Sequence, residues 1–129
     1  MRERTTTDPQ GHDVDLSAYV RTNRERLVLK PNRAYGGQDV VIGVDAVQLA
    51  WDHAVSQALA HPNTWVVQDF VPLPQVEFLD PKTRELTKEF VTVGFIATPD
   101  GIAFVGRSSP ERIVNISRGG SLVPIFLLR

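Results

Sequence analysis

Lys30-Pro31-Asn32, closely followed by Tyr35-Gly36-Gly37, sets an ammonium beside a glycine pair in a chain of 129 residues. A lysine at a strand end next to a glycine hairpin can surround a phosphate with a cation and several backbone N–H groups. The spacing matches neither GxxxxGK(S/T) nor GxGxxG, so by itself the signal is weak and the segment reads sooner as a solvated lysine and an ordinary β-turn. Val66-Val67-Gln68-Asp69-Phe70-Val71 is a second candidate. It runs from an apolar strand into a proline-bounded segment, where Gln68 and backbone groups could meet an adenine edge. The plain alternative is a core strand ending at a loop. The third cluster is Arg107, Asn115 and Arg118-Gly119-Gly120. Two arginines can clamp a phosphate or carboxylate in bidentate fashion, and an amide oxygen is a hard ligand suited to magnesium. Asn115 lies between Val114 and Ile116, so its side chain must find a partner or reach a pocket. A turn rich in Arg and Gly, with the asparagine bonded to backbone, is the alternative there.

The elements that must position these groups follow from periodicity. Asp15 to Arg24 reads as a short helix with Leu16, Tyr19 and Val20 on one side. Arg26 to Lys30 and Asp39 to Gly43 read as strands joined through Gly36-Gly37, where backbone angles open only to glycine are available. Asp45 to Ala60 is the clearest helix. Asp45 and Gln48 form a capping-box pattern, and Val47, Trp51, Ala54, Val55 and Ala58 fall on one stripe. Thr64 to Val71 is an apolar strand, Gln75 to Leu79 another, and Asp80 to Thr83 a turn. Glu85 to Thr98 is a long strand that turns at Pro99-Asp100-Gly101 into Ile102 to Gly106. Residues 112–116 and 121–128 are further strand candidates. One good helix, a possible second and about seven strands define an α+β chain with a mostly antiparallel sheet.

Composition narrows the function classes. Fourteen Lys and Arg against fifteen Asp and Glu give a net charge of -1, which is no nucleic-acid footprint. With no cysteine there is no disulfide framework, thiolate metal site or cysteine nucleophile. The N-terminus has no apolar signal segment, and no run approaches the ~18 apolar residues of a membrane helix. Residues 1–14 read as a mobile polar leader and 15–129 as one domain, and the expected location is cytoplasmic. His12, His53 and His61 have no metal-ligand spacing. Trp51 and Trp65 read as core. Glu77, Asp80, Glu85 and Glu89 could include an acid, although hairpin acids are usually solvated.

Taken in order, the segments resemble the ATP-grasp superfamily. The matches are Val28-Leu29-Lys30-Pro31-Asn32 with Tyr35-Gly36-Gly37-Gln38-Asp39-Val40-Val41, then Val66-Val67-Gln68-Asp69, then Val114-Asn115-Ile116-Ser117-Arg118-Gly119-Gly120. The nearest likeness is to uncharacterised and circularly permuted-type ATP-grasp proteins, and it covers about residues 24 to 128. The resemblance implies the C-terminal, nucleotide-binding portion of an ATP-grasp fold. It further implies an ATP-dependent carboxylate–amine ligase that works through an acylphosphate, with ATP and Mg2+ as cofactors and a small-molecule carboxylate and amine as substrates. By position, Lys30 would hold the α- or β-phosphate, and Tyr35, Gly36 and Gly37 would cover the phosphates. Gln68 and Asp69 would form the adenine hinge. Asn115 would ligate magnesium with Glu89 as a carboxylate, and Arg107 and Arg118 would steady the transferred phosphoryl group or substrate carboxylate. On this reading 129 residues make a partial machine, with a second subunit or upstream domain as partner and neither nucleic acid nor membrane. The alternative is a non-catalytic α+β binding or subunit-docking module that retains the fold.

Overall fold

The computed structural model describes residues 4–80 and 82–126. Residues 1–3 of the expected leader, Pro81 of the expected turn, and 127–128 of the last strand candidate lie outside the described residues. The chain divides into two compact units, Met1–Val71 and Pro72–Arg129. Two α-helices and three sheets, with every described strand pairing antiparallel, make the chain α+β as its sequence predicts.

The first unit opens with β1 (Thr5–Thr7) paired to β2 (Asp13–Asp15), in register Thr5↔Asp15 through Thr7↔Asp13. Polar side chains gave no strand signal in this stretch. Backbone pairing forms it, and Leu16 N–H extends the pairing by donating to the Arg4 carbonyl at 2.9 Å. Asp8 closes the turn: its Oδ1 accepts from His12 N–H at 2.8 Å and Gln10 N–H at 2.9 Å. These donors, led by His12 N–H, hold its carboxyl below the usual 3.8. A depressed carboxyl supports the folded turn fully above pH 3.8 and loses that support as pH falls through the lowered value. Acidification from pH 6 to 2 is therefore expected to lower the protection factors of the Gln10 and His12 amides, each rate being taken relative to the intrinsic exchange rate at the same pH. Asp8→Asn should flatten that dependence, and an identical acid profile in the variant would remove Asp8 as its source.

Helix α1 (Leu16–Thr22) is capped by Asp15, whose Oδ1 accepts from Ala18 N–H at 2.7 Å, and it buries Leu16 and Val20. A 3-10 turn, Arg24–Arg26, leads into β3 (Leu27–Pro31). β3 lies between β4 (Val41–Ile42) and β5 (Trp65–Asp69). Helix α2 (Gln48–Ala60) connects those two strands. Side chains alternate across a sheet, so Leu27 and Leu29 share one face with Val41 and Val67. That face packs with Leu16, Val20, Trp51, Val55 and Ala58 as the core.

Helix α2 begins two residues later than the capping-box pattern indicates. Val47, not Asp45, is its N-cap, and no side chain caps it. The chain first turns, with Ala46 N–H donating to the Ile42 carbonyl at 3.1 Å, which uses up the residues that would have formed the first helical turn. Gln48 bonds Asp52 at 3.1 Å instead of reaching back to a cap. Val47 leaves the expected stripe and is 71% exposed, whereas Trp51, Ala54, Val55 and Ala58 are buried on it.

The second unit is a sheet of β6 (Gln75–Leu79), β7 (Leu86–Thr98), β8 (Gly101–Ser109) and β9 (Ser121–Val123), in that order. The Pro99-Asp100-Gly101 turn stands where expected, with Thr98 opposite Gly101. β6 reaches only as far as Phe90 on β7, and β9 pairs only with Gly106 to Ser108 on β8. The far end of the β7–β8 hairpin is thus a two-stranded ribbon, and Phe95, Ile96 and Ile102 are exposed on it. Residues 112–116 form no strand. A 3-10 turn, Ile116–Arg118, ends at Gly119 with φ 85°, so the chain curls here rather than extends. Among the described residues, no helix is long and apolar enough to cross a membrane.

Candidate functional site

Lys30 sits near the end of β3, opposite Val66, and Gln68 is opposite Val28. Opposed residues in an antiparallel pair project to the same side, so Lys30, Val28, Val66 and Gln68 share the face turned away from the core. Lys30 and Gln68 are diagonal neighbours there, a relation that places Cα atoms roughly 7–8 Å apart. Asp69 is opposite Leu27 and therefore projects to the other side. The two expected hinge residues are split between the faces of one strand.

The chain leaves β3 at Pro31 and enters the glycine loop. Gly36 and Gly37 have φ of 70° and 76°, in the left-handed region where a side chain is strained, so the pair is needed for the path. Gln38 N–H donates to the Tyr35 carbonyl at 3.2 Å, and Tyr35 is 92% exposed. Lys30 and the glycine loop are thus contiguous, with β4 returning on the far side of the loop.

Among the described residues of this unit, two cavities take in parts of these segments, and Lys30 lines neither. One, of about 390 Å³, has Tyr19, Arg26, Leu27, Gln68 and Asp69 in its wall together with Asp8. Arg26 carried no sequence signal, because it becomes a wall residue only through the 3-10 turn ahead of β3. The other, of about 660 Å³, lies among Pro31, Asn32, Arg33, Asn63 and Thr64. Its rim is tied by Asn32 Nδ2–H donating to the Asn63 carbonyl at 2.8 Å.

In the second unit the register separates Glu89 from Arg107. Glu89 is opposite Val76, and shares its face with Val91 and Ser108, where a cavity of about 370 Å³ also takes in Thr87 and Ser121. Arg107 is opposite Thr92 and Leu122, on the other face. Its Nε–H is buried with no hydrogen-bond partner among the described residues. Asn115 has found its partner locally: Oδ1 accepts from both the backbone N–H and the hydroxyl of Ser117 at 3.0 Å. Arg118 pairs with Glu111 at 3.7 Å. Gly120 packs where a Cβ would stand 2.7 Å from the Asn115 carbonyl oxygen and 2.9 Å from that of Ser108. Closeness of backbone, not a ligand, accounts for glycine at that position.

The magnesium set does not fit as the resemblance implies. Glu89 opens to a cavity whose wall does not include Asn115, and the Asn115 oxygen is occupied by Ser117. Among the described residues, no three His, Asp or Glu side chains are grouped to hold a metal ion.

Comparison with known proteins finds two relatives from Frankia species, and no protein-family model matches the chain. The chain is 31% identical over 115 residues to "Putative glutamate--cysteine ligase 2-3" of Frankia alni. It is 33% identical over 116 residues to "Putative glutamate--cysteine ligase 2-2" of Frankia casuarinae. Each match covers 84% of this chain and 13% of the relative, so the chain spans about an eighth of the length of these proteins.

Proposed function

We propose that this chain is the nucleotide-binding portion of an ATP-dependent carboxylate–amine ligase of ATP-grasp type, acting in the cytoplasm. The observation that carries the reading is the shared sheet face of Lys30 and Gln68, with the Gly36-Gly37 loop springing from the same strand end. A lysine ammonium there meets phosphate oxygens, backbone N–H groups of the loop add donors, and the Gln68 amide can both donate to and accept from an adenine edge. Asp69, on the opposite face, is left to backbone contacts of the hinge. In the second unit we assign Arg107 to an oxyanion, while Arg118, paired with Glu111, plays the lesser part. The similarity to proteins named as glutamate–cysteine ligases supports a ligase.

The reaction proposed is one in which a substrate carboxylate oxygen attacks the γ-phosphorus of ATP and ADP departs. The amine nitrogen then attacks the acyl carbon, phosphate leaves, and the amine gives up a proton. Phosphoryl transfer of this kind depends on positioning and charge neutralisation.

Titration with ATP and Mg2+ by calorimetry tests the reading. A charge-assisted hydrogen bond is worth about 1.5–3 kcal/mol, so Lys30→Ala is expected to weaken ATP at least tenfold. Equal binding by both proteins, or binding by neither, would overturn it. The exposed apolar ribbon of β7 and β8 favours a second reading, a non-catalytic module that docks onto a partner. A monomer that binds ATP through Lys30 and shows no self-association in sedimentation would set that reading aside.

A further inference from the structure

The cavity of about 390 Å³ in the first unit combines two unpaired charges of opposite sign with an apolar floor. Leu16 and Leu27, both buried, form that floor, and the half-buried Tyr19 packs against the same core beside them. Arg26 and Asp69 are exposed members of the wall. Backbone pairing brings them to one end of the sheet. Asp69 is opposite Leu27, and Phe70 N–H donates to the Arg26 carbonyl at 2.8 Å. Asp69 therefore projects on the Leu27 side of the sheet, and the 3-10 turn brings Arg26 into the same wall. Among the described residues, neither the Arg26 guanidinium nor the Asp69 carboxylate has an ion pair or a side-chain hydrogen bond. The third charge of the cavity is engaged: Asp8 Oδ1 accepts from the N–H groups of Gln10 and His12, and its Oδ2 lies 3.3 Å from His12 Nδ1. An apolar lining with a few polar groups that fix orientation is the usual make-up of a small-molecule site.

We propose that this cavity binds a small α-amino acid, with its carboxylate on Arg26, its ammonium on Asp69 and an apolar side chain against Leu16, Tyr19 and Leu27. A guanidinium fork donates two N–H bonds to a carboxylate, and a carboxylate accepts from an ammonium. A simple anion leaves Asp69 unanswered and a simple amine leaves Arg26 so, whereas a zwitterion satisfies both. The floor excludes a charged side chain, because a third charge there would be desolvated without a partner. The Asp69 carboxylate is available for this role because the hinge uses only its backbone. Binding of the amino acid is independent of the nucleotide reading, and only its use as the amine substrate of a ligase rests on that reading.

The test titrates the 15N-labelled full chain with L-leucine and follows backbone amides by NMR. Two truncated probes accompany it: 4-methylpentanoate, which lacks the ammonium, and 3-methylbutylamine, which lacks the carboxylate. L-Leucine is expected to shift the Leu27 and Asp69 amides saturably. Each truncated probe should bind about fivefold more weakly, the effect of one exposed ion pair. Arg26→Gln should weaken L-leucine and 4-methylpentanoate by the same factor and leave 3-methylbutylamine unchanged. Asp69→Asn should weaken L-leucine and 3-methylbutylamine and leave 4-methylpentanoate unchanged. Damage to the fold would weaken all three probes alike, so the crossed pattern separates contact from damage. If either variant loses its dispersed spectrum, the three probes on the parent still decide. An absence of saturable shifts with L-leucine, equal affinity for the three probes, or folded variants without the crossed pattern would overturn the proposal. ATP titration of Lys30→Ala runs separately. L-Leucine binding with no Lys30 effect on ATP would sink the nucleotide reading and leave this site standing, and the reverse pattern would do the opposite.

Discussion

Trp51→Ala is expected to lose about 3–5 kcal/mol of stability, enough to unfold much of the first unit at ambient temperature. Trp51 is fully buried in the core between the helices and the β4-β3-β5 sheet, so truncation opens a cavity that Leu29, Val20 and Val55 border. A second loss adds to the cavity. The indole N–H donates to the Val20 carbonyl at 2.9 Å, and Val20 stands in the last turn of α1, where carbonyls lack intrahelical donors. One side chain thus fills the core and satisfies the end of a neighbouring helix. Trp51→Phe should keep most of the volume, lose the hydrogen bond, and fall between the parent and the alanine variant. Urea unfolding followed by far-UV circular dichroism reads all three. An unfolding free energy for Trp51→Ala within about 1 kcal/mol of the parent would show that the core closes over the gap.

Gly43→Ala should cost about 3 kcal/mol, at the upper end of ordinary overpacking. A Cβ built on Gly43 collides with the Arg24 carbonyl oxygen and stands 2.9 Å from that of Leu27, and both obstacles are backbone. Neither can move cheaply. Gly43 N–H donates to the Leu27 carbonyl at 2.9 Å, and the Arg24 side chain donates to the carbonyls of Gly43 and Ala46. The change would push the exit end of β4 away from the start of β3. Gly94→Ala is the matched control, since the nearest atom to its Cβ is 3.9 Å away. If both alanine variants unfold at the same urea concentration, close packing at Gly43 is not the constraint.

How far these features could be read from sequence differs by element, for physical reasons. The β7–β8 hairpin was legible because alternation and a Pro-Asp-Gly turn are both local signals. The start of α2 was not: Asp45 and Gln48 match a capping box, but the turn closed by Ile42 and Ala46 is set by the preceding strand. Thr5–Thr7 carries no apolar alternation, and its pairing is a backbone matter. The apolar run at 112–116 looked extended, yet Asn115 bonding Ser117 and Gly119 at positive φ curl it. For the candidate site, residue types pointed to Lys30, Gln68 and Asp69 together. Which of them share a face depends on the β3–β5 register, a long-range fact that places Gln68 with Lys30 and turns Asp69 away.

Every hydrophobic side chain buried among the described residues belongs to the first unit. Heat capacity of unfolding comes chiefly from apolar surface newly wetted. The two halves of the chain therefore differ in thermal character. The first unit carries a strongly curved stability profile, with a temperature of greatest stability and weakening on both sides of it. The second, whose ribbon of Phe95, Ile96 and Ile102 is wetted before unfolding begins, is expected to contribute the smaller share of that curvature.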